Sequence, residues 1–170
     1  MKNALLILLA AAFLCLLRPA LAASPEPPSA ARQLFEQTLT QFHLPSAEAR
    51  GAGRKNLLLQ ASAGYEQVLK SFPTVQPWAA QAMRALANVR AEQGNIDEAI
   101  RLYAGLEKKY PADEWEILQS WKSAGDLLWE HQRTAEAKAF YKKIVERFDR
   151  PDASPVFRAV VKGSRARSDS

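Results

Sequence analysis

One stripe of four residues occurs three times in this chain, each copy 38 positions after the last. The copies are Ala61-Tyr65-Val68-Phe72, Ala99-Tyr103-Leu106-Tyr110 and Ala137-Tyr141-Ile144-Phe148, all small, Tyr, aliphatic, aromatic. Their spacing puts each set on one face of a helix. A fixed period of this length marks stacked supersecondary units, each too small to bury its apolar face alone. The fold class that follows is all-α: an α-solenoid of antiparallel helix hairpins with a 38-residue period.

The rest of the chain is placed around that beat. Met1-Lys2-Asn3 is a short positive segment, Ala4 to Leu17 a continuous apolar run, and Ala20-Leu21-Ala22 a small-x-small cleavage signature. Together they predict a secretory signal peptide over 1–22, cleaved after Ala22, with Ala23 the near alternative. The run is shorter than the roughly 20 apolar residues of a comfortable span. Retention as an inner-membrane anchor is the minority reading. Cys15 lies inside the apolar run after Phe13-Leu14, which is not the context of a lipidated cysteine, and it is lost on cleavage.

Residues 23–28 read as a proline-rich disordered leader. Residues 29–45 read as an N-terminal helix capped by Ser29, with Leu34, Phe35, Leu39 and Phe42 on one side and a break at His43-Leu44-Pro45. Residues 46–163 hold the repeats and a C-terminal capping helix. Gly51 and Gly53 weaken the start of that region, so its first firm helix runs from Asn56 to about Ser71. Further helices follow at Trp78–Gln93, from Asn95 to Tyr110, at Glu114–His131, at Ala135–Phe148 and from Pro155 to about Lys162. Asn95 with Glu98, and Asp113 with Glu116, have the spacing of capping boxes. Gly163, Gly125 and Ala87 share the 38-residue register, so the last helix covers the end of the stack. Residues 164–170 read as a frayed basic tail.

Charge and composition remove several function classes. Loss of 1–22 takes away Lys2 and Arg18 and no acidic residue, reducing the net charge from +5 to +3. That is too mild and too dispersed for a nucleic-acid surface. No glycine-rich phosphate loop, cysteine nucleophile or clustered metal ligands occur, and the two histidines, His43 and His131, are far apart in sequence. The acidic pairs Asp97-Glu98 and Glu114-Glu116 sit in helix first turns, where the macrodipole accounts for them. The expectation is no catalytic residue, no metal and no cofactor.

Met83, Leu86, Ala87, Gly94, Ala99, Tyr103 and Pro111 form one unit, and Trp121, Ala124, Gly125, Ala137 and Tyr141 repeat it. These positions resemble the tetratricopeptide repeat (TPR). The usual repeat of that family is 34 residues long, and the longer unit here resembles TPR proteins of the bacterial cell envelope. Two such groups are the Tol-Pal-associated division coordinators and the barrel-assembly lipoproteins. This chain lacks the coiled coil of the first and the lipidated cysteine of the second.

The resemblance implies a protein–protein interaction scaffold or adaptor in the periplasm, engaged in envelope assembly or division. It would bind a protein or peptide on the concave surface formed by the first helix of each pair. On those helices Gln81, Arg84, Asn88, Gln119, Lys122, Asp126 and Trp129 are the candidate binding residues. Arg84 and Asn88 lie four apart on one face, as do Lys122 and Asp126. In some TPR proteins a basic residue followed four later by Asn holds a peptide's terminal carboxylate, and Arg84-Asn88 resembles half of that clamp. Asp126 departs from it in the next unit. Trp129 has two open readings, a binding hot spot or part of the core. The alternative function is a structural module that self-associates as a homo-oligomer through its terminal helices, with no groove ligand. No stable membrane span is expected after signal cleavage.

Overall fold

The computed structural model describes residues 26–170. The expected signal peptide and the leader as far as Pro25 lie outside the described residues. Among the described residues there are seven α-helices and no strand: α1 (Pro27–Thr38), α2 (Gly51–Ser71), α3 (Trp78–Glu92), α4 (Ile96–Lys109), α5 (Glu114–Glu130), α6 (Thr134–Phe148) and α7 (Pro155–Asp169). No helix among these residues is long and apolar enough to cross a membrane. The helices pack in pairs, α1 on α2, α3 on α4 and α5 on α6, with α7 laid against α6.

The tyrosine stripes are what the pairs close upon. Eleven of their twelve residues are buried, and only Phe72 is half-buried. Burying a side chain the size of Leu or Val contributes about 1.5–3 kcal/mol, so each stripe is a large share of its unit's stability. The small residues let the backbones approach. A β-carbon on Gly125 would lie 2.7 Å from Cε1 of Tyr141, and one on Gly64 would overlap Oγ1 of Thr38. The second of these contacts makes α1 the first helix of the first pair, a place that residues 46–55 did not reveal.

Several boundaries differ from the sequence expectation for identifiable reasons. α1 begins at Pro27, so the last two leader residues, Pro27 and Pro28, are helical. They occupy the first turn, where a missing amide hydrogen leaves nothing unmade, and Ser29 lies inside the helix rather than capping it. The chain is not broken at Pro45. It passes through a π-helical turn, Leu39–His43, into a short helical turn, Leu44–Ser46. The Leu44 amide already donates to the Leu39 carbonyl, five residues back, and Ser46 Oγ donates to the His43 carbonyl at 2.7 Å. With the hydrogen-bond register shifted in this way, the chain carries past a proline that donates nothing. α2 starts at Gly51, five residues ahead of Asn56, with that glycine in left-handed backbone (φ 52°) and Gly53 facing open space.

The basic tail is helical as well, as α7 runs to Asp169. Ser154 accepts the Phe157 amide at its start, Ser164 is buried, Arg165 pairs with Asp149, and the Arg167 guanidinium lies over the Trp129 ring. These contacts hold the segment that charge alone would leave solvated. Asn95 and Asp113 do stand at helix N-caps, but neither makes a side-chain capping bond. Their box partners are drawn elsewhere: Glu98 lies 3.4 Å from Nε of Arg90, and Glu116 binds Arg84.

Gly94 ends α3 at φ 82°, and the residue 38 later, Gln132, takes the same left-handed backbone at φ 61°. A side chain costs about 1–2 kcal/mol there, against part of which stands glycine's greater freedom in the unfolded chain. Gln132→Gly should therefore raise stability by about 0.5–1 kcal/mol. A thermal melt with an unchanged or lower midpoint would show that this turn is not strained.

Candidate functional site

Three stripe tyrosines sit at equivalent places and find three different partners. The Tyr103 hydroxyl donates to Oδ1 of Asn88 at 2.5 Å, and the Tyr141 hydroxyl donates to Oδ1 of Asp126 at 2.8 Å. The Tyr65 hydroxyl lies 3.0 Å from Nδ1 of His43, on the π-helical turn. Burial pushes the Tyr103 hydroxyl up to about 12. The hydroxyls of Tyr65 and Tyr141 are raised too, chiefly by burial, with nearby carboxylates adding to it. All three stay neutral at any ordinary pH. Asn88 and Asp126 are thus the acceptors that let buried tyrosines keep their hydrogen bonds.

The basic candidates are also occupied. Nε of Arg84 donates to Oε2 of Glu116 at 2.5 Å, and Glu116 is buried. This pair ties α3 to α5. The Lys122 ammonium pairs with Asp126 one turn along α5. Gln81 and Gln119 are half-buried on α3 and α5. Trp129 is half-buried against the core, its ring 6.3 Å from that of Tyr141 and 4.8 Å below the Arg167 guanidinium. Of its two readings the packing one has direct contacts, one of them from the tail segment that sequence left solvated.

Two of the candidates meet at a groove. Asn88, Ala91 and Glu92 of α3, Tyr103 of α4, and Ser123, Asp126, Leu127 and Glu130 of α5 enclose about 310 Å³. Only Asn88 and Asp126 of the seven candidates line it. The groove lies nearer the helix C-termini than Arg84 and Lys122, and Glu92 follows Asn88, as Glu130 follows Asp126, one helical turn on. Glu92 is legible from the sequence as the next position on the face of Arg84 and Asn88, and the same step from Asp126 leads to Glu130. Besides Tyr103, the ionisable groups lining the groove are the carboxylates Glu92, Asp126 and Glu130. Glu92 is paired with His43 and Arg54 and Asp126 with Lys122, while Glu130 makes no ion pair among the described residues, so it supplies the groove's uncompensated charge beside a small apolar strip of Ala91 and Leu127.

Glu92 also anchors the N-terminal helix. Its carboxylate lies 3.0 Å from Nε2 of His43 and 2.9 Å from Nη2 of Arg54, joining the π-helical turn, α2 and α3. The hydrogen bond from His43 holds Glu92 below the usual carboxylate range against the opposing effect of burial, and Arg54 adds to it. A carboxyl depressed by folding stabilises the folded chain above its unfolded pKa, and that contribution is lost as pH falls through its folded value. Glu92→Gln should therefore lower stability at neutral pH, and the gap to the parent chain should close on acidification. Paired melts at neutral and acid pH test this, and a gap independent of pH would remove the ionic role.

Asp113 shows the opposite sign. Burial, then the Glu116 charge, raise its carboxyl, and its Oδ2 is buried without a hydrogen-bond partner. Among the described residues no group of three or more His, Cys, Asp or Glu side chains is placed to hold a metal ion. Residues 46–114 match the family model described as tetratricopeptide repeat. No curated protein matches the chain.

Proposed function

Since the chain is a tetratricopeptide-repeat protein, we propose that it is an exported, non-enzymatic adaptor. Repeats of this family generally mediate protein–protein interaction. The setting that fits the N-terminal segment is the periplasm of a Gram-negative bacterium. There the chain docks a protein or peptide along the face of α3 and α5, in an envelope assembly or division process. The observation carrying this reading is the groove between those helices, with three carboxylates around an apolar strip. Arg84 and Lys122 are already paired, and of the three carboxylates Glu130 alone makes no ion pair among the described residues, so the groove suits a partner segment that presents a basic side chain to Glu130 rather than a terminal carboxylate.

A photo-crosslinking side chain at Ser123, inside the groove, should capture the partner, and one at Lys108, exposed on α4, should not. Glu130→Lys should weaken that capture about fivefold, the reach of one exposed charge pair, with an unchanged melting temperature. Capture from Lys108 alone, or indifference to Glu130→Lys, would move the binding surface elsewhere.

The self-associating reading rests on a different observation. Trp115 is 44% exposed and Val156 54% exposed, and the Trp115 and Phe157 rings pack together, 5.8 Å apart, where α5 meets α7. Light scattering across a concentration series separates the two functions. A mass that stays monomeric excludes the structural module.

A further inference from the structure

We propose that a second docking site lies in the cleft between the start of α2 and the α3–α4 turn. It takes a partner segment in which a carboxylate side chain neighbours an apolar one. The cleft has a volume of about 420 Å³, and Arg54, Lys55, Leu58, Leu59, Arg90 and Glu92 carry its chemistry. Leu58 is buried and Leu59 is 53% exposed, one of four large apolar side chains exposed among the described residues. Together they give the cleft an apolar wall next to its cations.

The charge is opposite to that of the groove. Three cations line the cleft against one carboxylate, and that carboxylate already binds His43 and Arg54. Lys55 makes no ion pair among the described residues. Arg90 sends its terminal nitrogens to Glu66 and Gln93. The Nε–H groups of Arg54 and Arg90 are buried with no hydrogen-bond acceptor, although the Glu98 carboxylate lies 3.4 Å from the latter. A buried donor without an acceptor is costly, and one attached to a charge more so. A carboxylate entering the cleft would find two guanidinium groups and an ammonium, while an apolar neighbour covered Leu59. Charge complementarity selects an acidic-apolar protein segment over a neutral or basic one.

This site stands independently of the groove, with which it shares Glu92. The test is fluorescence anisotropy with short labelled peptides that alternate Leu with Glu or with Gln, added to the full chain. The Leu-Glu peptide should bind more tightly than the Leu-Gln peptide and lose that advantage in high salt. Lys55→Glu and Leu59→Ser should each weaken Leu-Glu binding about threefold to fivefold at unchanged melting temperature. Lys108→Glu, on the exposed face of α4, should leave it as in the parent. Equal binding of the Glu and Gln peptides, no binding, or a response to Lys108→Glu matching that to Lys55→Glu overturns the proposal. The groove reading is untouched by those outcomes, because it is judged on capture from Ser123.

Discussion

Gly125→Leu is expected to lower the melting temperature by roughly 10 °C, for a loss of about 3 kcal/mol. A β-carbon at this position meets the Tyr141 ring at 2.7, 3.0 and 3.1 Å, and that ring is almost wholly buried. An isobutyl group has to displace the tyrosine. Doing so breaks the hydroxyl's bond to Asp126 and opens the seam between α5 and α6. Gly125→Ala is the control that isolates shape from propensity. The position 38 earlier is Ala87, so that repeat holds a methyl at the equivalent place. Alanine also favours helix over glycine by about 1 kcal/mol, which offsets part of the cost of shifting the ring away from its β-carbon. The alanine variant should therefore melt below the parent and well above the leucine variant. If leucine is tolerated as well as alanine, the tyrosine seam is not what holds the pair together.

The parts of the fold that were legible in the sequence are those set by period and steric type. The stripes Ala61 to Phe72, Ala99 to Tyr110 and Ala137 to Phe148 are buried because helical spacing and side-chain size are local properties, repeated three times. Gly94 marked its turn for the same reason. Pro45 and the segment after Gly163 were misjudged because their fate depends on partners distant in sequence. The shifted register at Leu39–His43 carries the chain past the proline, and Trp129 and Asp149 hold the last helix in place. The candidate site residues depend on distant partners too. Face and spacing put Asn88 and Asp126 beside a groove. They carried no information on which charges neutralise one another across helices. Arg84 and Glu116 lie 32 residues apart in sequence and belong to different repeats, so no local pattern announces the pair. Its consequence, a groove that is acidic instead of basic, was not legible either.

That pair carries the other large effect. Arg84→Ala would be a binding variant with normal stability if its side chain waited for a partner. The structure requires the reverse, a loss of stability, because the change strips the buried Glu116 carboxylate of its guanidinium. Leaving one member of a buried pair unmatched costs about 3–5 kcal/mol. The Arg84 side chain is 29% exposed and that of Glu116 only 6%, so the arginine can recover water and the glutamate cannot. Arg84→Ala should therefore destabilise by about 3 kcal/mol, and Glu116→Ala by less. Arg84→Met with Glu116→Leu should recover most of the loss, since apolar side chains of similar volume often replace a buried pair at little cost. Urea melts of the two single variants and the double variant close the cycle, and its coupling measures how strongly α3 is tied to α5 through this contact. A stable Arg84→Ala chain that no longer captures its partner would return Arg84 to the binding surface and put the charge reading of the groove in error.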